Sequence, residues 1–125
     1  MNFFKRRNIL KKTSFMDLIP VKVLDAELNE QGKVDIFVPR FKNDYLKRAF
    51  QTKKKGDFFV IHLDENGSLV WSAIDDRMTV EKLAETVYQT HPEKFKDQED
   101  TNDRVRKFIS LLYQERYISF RQIID

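Results

Sequence analysis

Two periods of apolar residues divide the chain. From Val21 onward they recur at every second position, at Val21 and Val23 and then at Val34, Ile36 and Val38 up to Pro39. This is the spacing of strands with one face turned to a core. Asn29-Glu30-Gln31-Gly32 between them supplies turn chemistry, with Gly32 free to take a positive φ, so the segment predicts a β-hairpin. A third strand is predicted over 57–63, where Phe59, Ile61 and Leu63 face one way and Phe58, Val60 and His62 the other. Its aromatic and β-branched content suits a pleated surface.

Past Asp64-Glu65-Asn66-Gly67, which reads as a turn, the period becomes helical. Ser68 is the expected N-cap of a short helix through Val70, Trp71 and Ile74. Val80, Leu83, Ala84, Val87 and Tyr88 then predict a helix over 79–90, with Thr79 as cap and Glu81 in its first turn. The same spacing in Val105, Phe108, Ile109, Leu112 and Tyr113 predicts a helix over 102–116, led in by Glu99, Asp100 and Asp103. Ile118, Phe120, Gln122 and Ile124 alternate weakly and predict a last strand.

Strands followed by helices argue an α+β domain, a three-stranded antiparallel sheet followed by three helices, with the last two helices and the tail outlining a winged helix. Residues 1–14 form a basic arm, and residues 15–125 a single domain. The arm's Phe3, Phe4, Ile9 and Leu10 suit a turn or two of helix too short to be stable alone, so it is expected to be loosely ordered or docked on a partner. The stretch 41–56 is a basic insert, with Tyr45, Leu46, Ala49 and Phe50 at helical spacing and Gly56 closing it.

Composition narrows the function classes. A chain of 125 residues has enough volume for one independent core. It contains no cysteine, which excludes disulfides, thiolate metal sites and thiol catalysis and reads as an intracellular, cytoplasmic address. Its densest apolar run, Phe58-Phe59-Val60-Ile61, falls far short of a membrane span, and no apolar stretch follows the basic start as in a secretory signal. No membrane partner is expected. The net charge of +3 is unevenly spread: the arm holds five basic residues and no acid, and residues 40–55 hold seven against Asp44 alone, so the rest of the chain is net acidic. The two basic segments read as solvated surface or as attraction for an acidic partner.

Catalytic chemistry is hard to place. His62 and His91 lack metal-ligand spacing, and the three glycines are taken up by turns, leaving no phosphate loop. Asp97, Glu99, Asp100 and Asp103 lack the central glycine and closing glutamate of a calcium loop. No general base stands beside a nucleophile in a recognisable pattern. No catalytic residue, metal or cofactor is therefore expected. Trp71 reads as a core anchor or a stacking residue, and His62 as an outer-face polar residue or a ligand contact.

The stretches GSLVWSAIDDRMTVEKLAETV (67–87) and DRVRKFISLLYQERYI (103–118) resemble the PqqD family. These are small chaperones that present a precursor peptide to a radical-SAM enzyme and, more broadly, recognition domains for ribosomally made, modified peptides. The resemblance covers residues 21–118 and rests on the order of its pieces: a strand ending in Leu63, a Gly-Ser step into a Trp-bearing helix, Ile74-Asp75 before Thr79-Val80, and a final helix closing on Leu112, Tyr117 and Ile118. Asp76 stands where that turn often has glycine, the insert 41–56 lengthens the link into the third strand, and the arm has no counterpart. The resemblance does not assign the pyrroloquinoline quinone pathway.

It implies a non-enzymatic peptide chaperone that binds a leader peptide as an added strand in the groove between the third strand and the last helix. Carried onto this chain, the edge is Phe58, Phe59, Val60, Ile61, His62 and Leu63. The facing wall is Arg104, Lys107, Phe108 and Leu111. The two cations would favour an acidic leader, and the apolar pair would take its hydrophobic anchors. The implied partners are the precursor peptide and its radical-SAM or other modifying enzyme, with a homodimer through the edge strand as a further possibility. A winged-helix DNA-binding protein is the alternative, with Arg104, Arg106, Lys107 and Arg116 facing DNA. The acids leading into that helix oppose it, which makes a nucleic-acid partner the weaker expectation. A structural module that pairs with itself is the third reading.

Overall fold

The computed structural model describes residues 1–40 and 57–124; the insert 41–56, with its expected short helix, lies outside them. Among the described residues the fold is mixed α+β. Helix α1 (Phe3–Lys12) comes first, then strands β1 (Pro20–Lys22), β2 (Ala26–Leu28), β3 (Val34–Pro39) and β4 (Phe58–His62). Helices α2 (Glu65–Ala73), α3 (Val80–Thr90) and α4 (Gln98–Gln114) follow, and β5 (Ile118–Phe120) closes the order.

Strands β2, β3 and β4 form an antiparallel sheet in that order, and β1 and β5 form a separate antiparallel ribbon. The expected hairpin is thus present with a different first strand. Ala26 pairs with Ile36 and Leu28 with Val34, whereas Val21 pairs with Ser119 in the ribbon and Val23 is exposed. The turn is built as its residues require. The Asn29 carboxamide oxygen accepts from the N–H groups of Gln31 and Lys33, and Gly32 sits at φ 74°. The ribbon is tied by Gln122, whose side chain accepts from the Ile19 N–H at 3.0 Å and donates to the Asp17 carbonyl at 2.9 Å.

Helix α2 packs on β3, α3 packs on α2 and α4 on α3, and Val38, Ile61 and Leu63 lie against the core that they enclose. Val34 and Ile36 are buried there with Trp71, Val80, Leu83, Val105, Ile109 and Leu112. Trp71 is therefore a core side chain, with the Lys22 ammonium 5.2 Å from its ring centroid. Burial pushes the Lys22 pKa down against the opposing attraction of Asp76.

Two helix starts differ from expectation. The cap of α2 is Asp64, which accepts from the Gly67 N–H, so the anticipated turn is the first turn of the helix and Ser68 lies buried inside it. Helix α4 starts at Gln98, capped by Asp97, so Glu99 and Asp100 occupy its first turn, where the helix dipole favours them. Thr79 caps α3 as expected. The N-terminal arm is not loose. It forms α1, capped by Asn2, with Ile9 and Leu10 half-buried on the core and the helix resting on the Arg121–Ile123 turn. Such a short helix needs that docking.

Candidate functional site

Strand β4 lies at an edge of the sheet, with β3 on one side and no described strand on the other. Its register settles which backbone groups are free. The Leu63 N–H donates to the Val34 carbonyl and the Arg40 N–H to the Asp57 carbonyl, so residues 57, 59, 61 and 63 turn their polar groups toward β3. By the same alternation, the backbone N–H and C=O groups of Phe58, Val60 and His62 point away from the sheet. Phe59 is 52% exposed and Val60 41% exposed on this edge.

At the lower end of the ladder a side chain replaces a backbone bond. The Val34 N–H donates to the Ser68 hydroxyl at 2.8 Å, and that hydroxyl stands 3.5 Å from the Leu63 carbonyl. The hydroxyl wedges β4 away from β3 where the strand runs into α2. A groove of about 600 Å³ opens beside this junction, between the end of β4, the start of α2 and one face of α4.

Leu63, Val70, Phe95, Phe108 and Leu111 give the groove an apolar lining, and Asp64 and Asn66 make one end polar. Arg104 and Lys107 complete its wall. Gly67 permits the close approach of α4: a Cβ there would stand 3.4 Å from the Phe108 ring and 2.9 Å from the capping Asp64 Oδ1. Leu111 is 52% exposed, so the wall offers apolar surface that no described residue covers. The charges on α4 are partly spent. Arg104 Nε donates to Asp100 Oδ1 at 3.1 Å, and Arg106 donates to Asp103 at 3.2 Å. Asp100 is held below the usual carboxylate range, first by the Lys96 N–H and then by Arg104. Lys107 is exposed and belongs to no ion pair among the described residues.

Six of the ten expected site residues therefore meet around one groove: His62, Leu63, Arg104, Lys107, Phe108 and Leu111. Phe58, Phe59, Val60 and Ile61 lie farther up the strand, outside its lining. Phe58 stacks edge to face with Phe37 on the outer face of the sheet, Arg40 covers the Phe59 ring at 4.3 Å, and Ile61 pairs with Ile36 toward the core. The His62 ring also points to the outer face, where its Nδ1 lies 2.6 Å from Asp35 Oδ1. That contact is the main cause of the depressed Asp35 pKa.

Sequence reasoning missed Asp64, Asn66, Gly67, Val70 and Phe95 as groove residues. The signal for the first three was present: an aspartate three residues ahead of a glycine is a helix-start pattern as much as a turn. Phe95 sits in a polar linker with no periodic neighbours, and only packing shows where it goes. The acids once weighed as a calcium cluster have other tasks, Asp97 as cap and Asp100 as partner of Lys96 and Arg104. Among the described residues no three His, Asp or Glu side chains gather as metal ligands would. No protein-family model matches the chain, and no curated protein matches it either.

Proposed function

We propose that the chain is a peptide-binding chaperone that takes an extended segment of a precursor peptide as an added strand on β4 and offers it to a modifying enzyme of the radical-SAM type. One observation carries this reading. The row of outward-facing backbone groups at Phe58, Val60 and His62 ends, at His62, on the groove walled by α4. An extended guest satisfies such groups by β-augmentation, which supplies register, while side-chain pockets supply choice. Leu63, Phe108 and Leu111 would hold an apolar anchor, and Lys107 would hold an acidic neighbour. The resemblance of 67–87 and 103–118 to the PqqD family, with its winged-helix outline, points the same way.

Titration of isotope-labelled protein with candidate leader peptides tests the reading. Amides of Phe58, Val60 and His62 are expected to shift and gain exchange protection, while those of Phe59 and Ile61, already bonded to β3, change less. Saturation that leaves all five unchanged removes the site. The DNA-binding alternative has less support, because Arg104 and Arg106 are engaged by Asp100 and Asp103 and α4 opens on Glu99 and Asp100.

A further inference from the structure

The N-terminal helix forms a surface of its own, and none of its residues lines the groove. Among the described residues, helix α1 packs on the core through Ile9 and Leu10, with Met1 just ahead of it. Opposite them, Phe4, Arg7, Asn8 and Lys11 recur at i, i+3, i+4 and i+7 and make one exposed stripe. Phe3 and Phe4 are 68% and 78% exposed, with their rings edge to face 5.7 Å apart.

The cations of this helix are concentrated in ten residues with no acid among them. Lys82, Lys94, Arg104 and Arg106 each face a carboxylate within their own domain surface. Lys5, Arg6, Arg7, Lys11 and Lys12 are all exposed, and none forms an ion pair among the described residues. Arg7 and Lys11 share the outward stripe with Phe4, and Lys5 and Lys12 are exposed on its flank. These cations beside two solvated phenyl rings call for a partner that is anionic at its surface and apolar just beneath.

We infer that α1 is an interfacial anchor that adsorbs to an anionic lipid surface. Its cations meet the headgroups while Phe3 and Phe4 enter the acyl boundary. A fluid headgroup layer makes no demand for one fixed hydrogen-bond pattern, and its phosphates suit the Arg7 guanidinium and the Lys11 ammonium on the stripe. Single-stranded nucleic acid fits less well: the rings stand at 77° to each other, which leaves no parallel slot for a base. No helix of the described residues is long and apolar enough to cross a membrane, so the contact is one of lying on the bilayer. The expectation of no membrane partner rested on the missing span, and adsorption needs none.

Co-sedimentation of the full chain with vesicles tests this. The protein is expected to pellet with phosphatidylcholine vesicles containing phosphatidylserine at low salt, to be released at high salt, and to stay in solution with phosphatidylcholine alone. Reversing two stripe cations, Arg7→Glu with Lys11→Glu, should weaken binding by roughly thirtyfold or more. Phe3→Ser with Phe4→Ser should weaken it several-fold without changing the far-UV circular dichroism, because both rings are solvated. Lys82→Glu, on α3, should leave it unchanged. Equal binding to neutral vesicles, no binding to phosphatidylserine vesicles, equal sensitivity to Lys82→Glu, or preference for a single-stranded oligonucleotide over vesicles would each overturn the inference.

Discussion

Ser68 and Asp76 each hold together parts of the chain that are distant in sequence. The Ser68 hydroxyl is buried and is the acceptor for the Val34 N–H, a group that would otherwise lie in the core without a partner. Ser68→Ala should cost about 1–3 kcal/mol in urea unfolding, the penalty of an orphaned buried donor, and loss below a few tenths would show that water replaces the hydroxyl. Asp76 sits at φ 65°, in the left-handed region that aspartate tolerates better than most residues. Its Oδ1 accepts from the Lys22 N–H at 3.0 Å, and its carbonyl accepts from Arg121 Nε at 2.9 Å. Asp76→Asn keeps the acceptor and tolerates the geometry, so it should be near neutral. Asp76→Ala adds left-handed strain of about 1–2 kcal/mol and leaves Lys22 without its acceptor. Equal stability of the two variants would contradict this account.

The ribbon of β1 and β5 shows how an element can escape a pattern. Val21 and Val23 have the right period for a hairpin strand, yet alternation says nothing about which strand is the partner. The choice is made by long-range bonds, above all those of Gln122 to Ile19 and Asp17. Gln122→Ala removes both, and about 1–2 kcal/mol of stability should go with them, accompanied by faster amide exchange at Val21 and Ser119. Exchange that speeds equally in β3 would mean that the ribbon is no separate unit. The helices were more legible. Val80, Leu83, Ala84 and Val87 are all buried in α3 as their spacing required, because a helix brings such residues to one side whatever lies opposite. The start of α4 was less so, since residues 98–102 carry charge and no apolar period while Asp97 caps them.

For the molecule as a whole, pH dependence should be set by carboxylates. Asp35, Glu65, Asp75 and Asp100 all have folded pKa values below their ordinary ones, held there chiefly by His62, by Lys94, by the Arg77 N–H followed by that of Met78, and by the Lys96 N–H, respectively. Each therefore stabilises the fold above the unfolded carboxylate pKa, about 4, and loses that contribution as pH falls through its lower folded value. Lys94 is shifted upward by Glu65, so its contribution is complete below its unfolded pKa and disappears as pH rises through the folded one. The urea midpoint should fall steadily below about pH 4, and Asp75→Asn should flatten that limb. A midpoint that stays level into strong acid would refute the linkage. Glu65 and Asp75 are exposed and solvent-screened, so their share of the slope should be shallow.

The site was legible to the same degree as the elements that build it. Leu63, Lys107, Phe108 and Leu111 could be assigned to a strand end and a helix face from spacing and resemblance. That they share one groove depends on Gly67 admitting the Phe108 ring and on α2 starting at Asp64, which are matters of distance. Local periodicity by itself determined β3, β4 and the buried faces of α3 and α4, because side-chain direction repeats with the backbone and needs no distant partner to be read. It did not show β2 or the place of Phe95 in the core. Strand pairing, the free side of β4, the docking of α1 and the partners of each charge were decided only in three dimensions. They rest on contacts between residues far apart in the chain, about which no local window carries information.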